Sequence, residues 1–128
     1  MSPKAIRTDA APAAIGPYSQ AIQTGNTLYL SGQLGLDPTT GKLVSADTAA
    51  QAAQALKNIQ AILDAAGFAV ADVVQVVVLM THIDDFSAIN ALYKDFFKPP
   101  YPARAAYAVA ALPAGAAVEI IATAVRNS

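Results

Sequence analysis

Between Thr48 and Ala66, apolar residues fall at Ala52, Ala55, Leu56, Ile59, Ile62, Leu63 and Ala66. That is the i, i+3, i+4, i+7 spacing of one helix face. Gln51, Gln54, Asn58 and Asp64 are expected mostly away from it, Thr48-Ala49-Ala50-Gln51 reads as a capping box, and Gly67 as the C-cap. Val73–Met80 changes the pattern to a continuous β-branched run, which predicts a central strand covered on both faces. A second helix is expected after Asp84 or Asp85, with Phe86, Ile89, Leu92, Tyr93, Phe96 and Phe97 on its apolar face, and Pro99-Pro100 ends it. Lys94 and Lys98 lie near its C-terminus, where the macrodipole favours cations.

Upstream, the chain is proline-rich and irregular through Gly16-Pro17. Tyr18–Gln23 and Thr27–Ser31 then flank Thr24-Gly25-Asn26, which reads as a tight hairpin. Two further strands are expected near Ala103–Val109 and Val118–Val125. The order hairpin, helix, strand, helix, strand, strand is that of an α+β domain, residues 1–128, with two helices packed on one face of a single sheet. Apolar residues on both sides of the strands leave the other face to be covered, and a second copy of the chain is the natural cover.

Composition supports that expectation. Of 128 residues, 55% are hydrophobic and 13% charged, against about a quarter charged in a typical domain. The formal net charge is −1 and the eight Lys and Arg residues are scattered, which provides no footprint for nucleic acid or anionic lipid. The absence of cysteine removes disulfides, thiolate nucleophiles and thiolate metal sites. One histidine, His82, and scattered aspartates offer no metal-ligand spacing. Met1-Ser2-Pro3-Lys4 lacks the apolar core of a signal peptide and no run is long enough to span a membrane, so a cytoplasmic location is expected by default.

Against this background Glu119 stands out as the one glutamate, set inside Ala116–Val125, a run of small and β-branched residues. A carboxylate removed from water tends towards a raised pKa, as a general base or acid near neutral pH requires. The bland alternative is a rim position where Glu119 reaches water. Arg104 opens the strand Ala105-Ala106-Tyr107-Ala108. Its planar fork can bind a carboxylate bidentately, or it is simply a surface arginine at a strand end. Placed beside Glu119 on a following antiparallel strand, it reads as half of a site. Ser31-Gly32-Gln33 can bring backbone N–H groups close to a ligand or form an ordinary strand-end turn. Tyr18 reads as a pocket wall or as plain core, and helical Asn90 as a ligand contact or as a cap on a neighbour.

Taken together, Ala13-Ala14-Ile15-Gly16-Pro17-Tyr18-Ser19-Gln20, Ser31-Gly32-Gln33, Asn90-Ala91-Leu92-Tyr93, Pro102-Ala103-Arg104, Leu112-Pro113 and Val118-Glu119-Ile120 resemble, in order and over essentially the whole chain, the RidA (YjgF) family of reactive intermediate or imine deaminases. The resemblance implies a chorismate-mutase-like α+β fold and a homotrimer with a small 2-imino or 2-keto acid bound in clefts between subunits, without cofactor or metal. It implies hydrolysis of 2-iminopropanoate and 2-iminobutanoate, formed from 2-aminoacrylate-type enamines, to 2-keto acids and ammonia. Arg104 would bind the substrate carboxylate and Glu119 would activate water. Tyr18, Ser31, Gly32 and Asn90 would line the cleft. Ala106 stands where the family often has cysteine, at a position acting through its backbone, and Ile121 where many relatives carry a second acid. Two alternatives stand beside this reading: an endoribonuclease or translation inhibitor, and a non-catalytic metabolite-binding or chaperone-like trimer.

Overall fold

The computed structural model describes residues 2–127. The strands and helices are β1 (Lys4–Ile6), β2 (Ala21–Thr24), β3 (Thr27–Leu30), β4 (Gln33–Leu34), α1 (Thr48–Ala66), β5 (Val73–Met80), α2 (Phe86–Phe96), β6 (Ala103–Ala108) and β7 (Val118–Val125). They form one mixed sheet in the order β1-β2-β3-β7-β5-β6, with β4 also paired to β7. The expected α+β architecture, two helices against one sheet face, is therefore present. β1 and β4 were not expected. β1 is a three-residue strand recruited from the irregular leading segment by pairing with β2, and β4 is the two residues left after the chain bends at Ser31-Gly32.

The β2–β3 hairpin closes on Gly25-Asn26, flanked by the Thr24/Thr27 pair, with Gly25 at φ +57°. A two-residue hairpin turn needs positive φ, which glycine supplies without strain. Its first strand begins only at Ala21, leaving Tyr18 outside the ladder.

α1 buries Ala52, Ala55, Leu56, Ile59, Ile62 and Leu63, and ends at Gly67 in the left-handed conformation. Its N-cap is Asp47 rather than Thr48: the Asp47 carboxylate accepts from the Ala50 N–H at 3.0 Å. The Thr48 hydroxyl instead donates to Asp85 at 2.9 Å, tying the start of α1 to the turn before α2. Asp85 thus makes no side-chain cap on α2.

Gln51 and Asn58 correct the helical-wheel expectation, since both are buried. Gln51 donates to the Ser45 carbonyl at 2.9 Å and accepts from the Ala117 N–H at 2.8 Å. Asn58 donates to the Leu34 and Leu36 carbonyls at 3.1 and 3.0 Å. The Leu36 and Ser45 carbonyls lie in the irregular segment after β4, Leu34 closes β4 and Ala117 leads into β7, and these two amides give all four main-chain groups a partner. The segment seats so closely on α1 that a Cβ at Gly35 would lie 2.5 Å from Gln51 Cα and 2.6 Å from its carbonyl oxygen. Gly35→Ala therefore forces two backbones apart. We expect it to cost about 2 kcal/mol or more, as overpacking of a filled interior does, read as a lower midpoint in urea unfolding.

β5 and β7 form the centre of the sheet, and residues along both alternate. Val76, Val78 and Met80 on β5, with Val118, Ile120, Ala122 and Ala124 on β7, are buried under the helices. The opposite face carries Val77, Leu79, Ile121 and Thr123, half-buried, together with Tyr29 and Tyr107, each about half exposed. The runs are apolar on both sides, as expected, but within one chain only the helix side is covered.

Candidate functional site

Glu119 sits on the uncovered face of β7, opposite Leu79 on β5 and Leu34 on β4. Its carboxylate is laid over Gly32: a Cβ at that position would come within 2.6 Å of Glu119 Oε2. Glycine at 32 is what lets the acid lie down against the bend. Burial pushes the Glu119 carboxyl above the usual carboxylate range. Ser31 donates from its hydroxyl to the Ser19 carbonyl at 2.5 Å, holding the bend against the Tyr18-Ser19 segment. That segment is fixed in turn by buried Gln20, which accepts from the Thr8 N–H at 2.7 Å and donates to the Pro12 carbonyl at 2.8 Å. Tyr18, half exposed, shares a cavity of about 310 Å³ with Gly32, Gln33 and Leu34. Tyr18, Ser31, Gly32 and Glu119 thus form one group.

Arg104 belongs to a second group. It pairs in register with Val76, so it shares the helix-side face of the sheet, at the edge strand β6. Its guanidinium donates to Asn90 Oδ1 at 2.6 Å and lies over the rings of Tyr93 and Phe86, 4.7 and 5.2 Å from their centroids. Asn90, Tyr93, Lys94, Tyr101, Pro102 and Arg104 line a cavity of about 400 Å³. Burial raises the Tyr93 phenol, while the positive charge of Arg104 pulls it down. Ala106, two residues along β6, packs partly against the core, and among the described residues no strand pairs with the outer edge of β6.

The expectation that Arg104 and Glu119 neighbour each other on paired strands is not met within the chain. β5 runs between β6 and β7. Arg104 is level with Val76 and hence Ala122, three residues from Glu119. The two are about 10 Å apart across the strands and about 10 Å along them, with side chains on opposite faces. The parallel β5–α2–β6 crossover is the reason, since it places β6 outside β5 rather than beside β7.

Sequence reading missed the aromatic cradle of Arg104. Phe86, Asn90 and Tyr93 recur at i, i+4 and i+7, one stripe of α2, and an asparagine between two aromatic residues on such a stripe was the available signal. His82 lies in the exposed turn before α2, near none of these groups. Among the described residues no cluster of three His, Asp or Glu side chains could hold a metal ion, and no helix is long and apolar enough to cross a membrane.

A family profile described as Endoribonuclease L-PSP matches residues 8–126. The 2-iminobutanoate/2-iminopropanoate deaminase of Homo sapiens is 52% identical over 124 residues, spanning 97% of this chain and 90% of its own length. Among solved structures, RidA from the Antarctic bacterium Psychrobacter sp. superposes with TM-score 0.93 at 49% identity, covering 96% of this chain and 99% of its own. E. coli TdcF with bound serine does so with TM-score 0.91 at 41% identity, covering 97% and 99%.

Proposed function

Since the chain belongs to the RidA (YjgF) family, whose profile is described as Endoribonuclease L-PSP, we propose that it is a 2-iminobutanoate/2-iminopropanoate deaminase. It hydrolyses short 2-imino acids to 2-keto acids and ammonia. The observation that carries this reading is the 52% identity to the human deaminase over nearly the whole of both chains.

Chemically the two groups divide the work. Arg104 presents a fork of N–H donors, one engaged by Asn90 and the others free for a carboxylate. The ligand in E. coli TdcF, serine, carries an α-carboxylate of this kind. Glu119, raised by burial, suits a base that takes a proton from water as the water oxygen bonds to the imine carbon. The C=N π electrons pass to nitrogen, the protonated Glu119 returns its proton to that nitrogen, and the tetrahedral adduct collapses. Glu119 takes the proton of the adduct hydroxyl and passes it to the amine nitrogen, so that the C=O bond forms as the C–N bond breaks and ammonia leaves.

Within one chain Arg104 and Glu119 face opposite ways, so a working site takes one from each of two subunits. A ring of three, in which the β6 edge of one copy meets the uncovered sheet face of the next, completes three such clefts and covers the apolar residues left open. Tyr18, Ser31 and Gly32 then line the Glu119 side, with Asn90 and the backbone at Ala106 on the Arg104 side.

The endoribonuclease label of the family profile finds no support in the charge of this chain: eight cations in 128 residues and a net charge of −1 do not make a phosphate-binding stripe. The test of the deaminase reading supplies imine from threonine dehydratase and threonine, and follows 2-oxobutanoate release. The protein accelerates release over the spontaneous rate. Keto-acid binding without acceleration would instead support a metabolite-binding trimer.

A further inference from the structure

Arg104 is held before any substrate arrives. Three side chains of one α2 stripe converge on its guanidinium: the Asn90 amide oxygen at 2.6 Å, the Tyr93 ring at 4.7 Å and the Phe86 ring at 5.2 Å. The only ion pair among the described residues is Arg7–Asp9, so no carboxylate competes for the fork. Tyr93 is buried at 4% exposure within the core and also packs on Phe97, with ring centroids 4.6 Å apart. Its hydroxyl is buried without a hydrogen-bond partner among the described residues, which is a cost to folding. It is the ring, 4.7 Å from the guanidinium, that lies against Arg104. A flexible arginine loses side-chain freedom when it grips a ligand, and an aromatic face beneath the guanidinium removes part of that loss in advance.

We propose that Tyr93 is a positioning residue for substrate binding: its ring face is the platform that holds Arg104 open towards the cavity shared by Asn90, Lys94 and Tyr101. The inference rests on Arg104 being the carboxylate anchor of the proposed deaminase, and it acts on affinity rather than on the chemical step. Asn90 fixes the rotation of the guanidinium about its axis, and Tyr93 fixes its height above the helix.

Tyr93→Phe keeps the ring and removes the unpartnered hydroxyl. It leaves KM and 2-oxobutanoate Kd within about twofold of the parent and melts no lower. Tyr93→Leu keeps apolar bulk and removes the π face. KM and Kd rise about five- to tenfold with kcat nearly unchanged, whereas a merely structural role lowers the amount of active protein and leaves KM alone. Progressively fluorinated phenylalanine at 93 drains the ring face at constant shape, so it reads the same effect even where Tyr93→Leu does not fold. Kd climbs with each fluorine. A flat fluorine series while Arg104→Ala abolishes keto-acid binding would overturn the platform and leave the anchor standing. Arg104→Ala binding 2-oxobutanoate as the parent does would overturn the anchor itself.

Discussion

Glu119→Gln lowers kcat by about a hundred- to a thousandfold, the usual worth of a positioned general base, and changes KM by less than about threefold, because in the proposed site Glu119 acts on the attacking water rather than on the anchored carboxylate. Glutamine keeps the shape against Gly32 and removes only the proton acceptor, so the loss reports chemistry and not collapse of the bend. The pH dependence has a defined sign. Burial raises the folded-state pKa of Glu119, and the proposed general base works in its ionised form. The acid limb of kcat therefore lies above the ordinary carboxylate range, and it is missing from the residual activity of Glu119→Gln. Stability runs the other way. A carboxyl whose folded pKa is raised contributes most below its unfolded pKa, and that contribution is lost as pH rises through the folded value. Glu119→Gln is accordingly no less stable than the parent at neutral pH, which denaturant unfolding at pH 5 and pH 7 measures.

Arg104→Ala produces the second large effect. In the proposed site, removing the fork forfeits charge-assisted hydrogen bonds to the substrate carboxylate, together worth about 3 kcal/mol, so kcat/KM falls about a hundredfold, mostly through KM. Arg104→Lys recovers little, because an ammonium retains the charge but neither the bidentate geometry nor the stacking on Phe86 and Tyr93. Residue 104 is exposed on an edge strand, so neither variant is expected to shift the thermal midpoint by more than a few degrees.

The helices and central strands were legible because each carries a period: 3.6 along 48–66 and 86–97, and an uninterrupted β-branched run at 73–80. The bounds of α1 follow the pattern, although its cap passed to Asp47, since two adjacent polar residues compete for one N-cap and local spacing does not choose between them. Gln51 and Asn58 were misplaced for a different reason. A helical wheel sorts residues by polarity, while burial of an amide depends on whether distant chain needs its donors, and here the Leu36 and Ser45 carbonyls after β4 do. Glu119 was visible as a charge in an apolar strand, and its raised pKa agrees with the partial burial expected there. Its separation from Arg104 was not visible. Strand order is a tertiary choice, and nothing in the sequence between Val109 and Val118 says that β7 returns beside β5 rather than β6.

That separation makes the shared intersubunit site the central claim, and a mixing experiment tests it directly. Arg104→Ala and Glu119→Ala chains, each nearly inactive alone, are differently tagged, unfolded and refolded together, and the doubly tagged species is assayed with dehydratase-generated 2-iminobutanoate. If Arg104 and Glu119 act across subunits in a ring of three, one cleft of the three in every mixed assembly receives both native residues, and the doubly tagged species regains about a third of the parental activity. Doubly tagged assemblies no more active than the two variants measured separately would contradict a shared site and place the working pair within one chain.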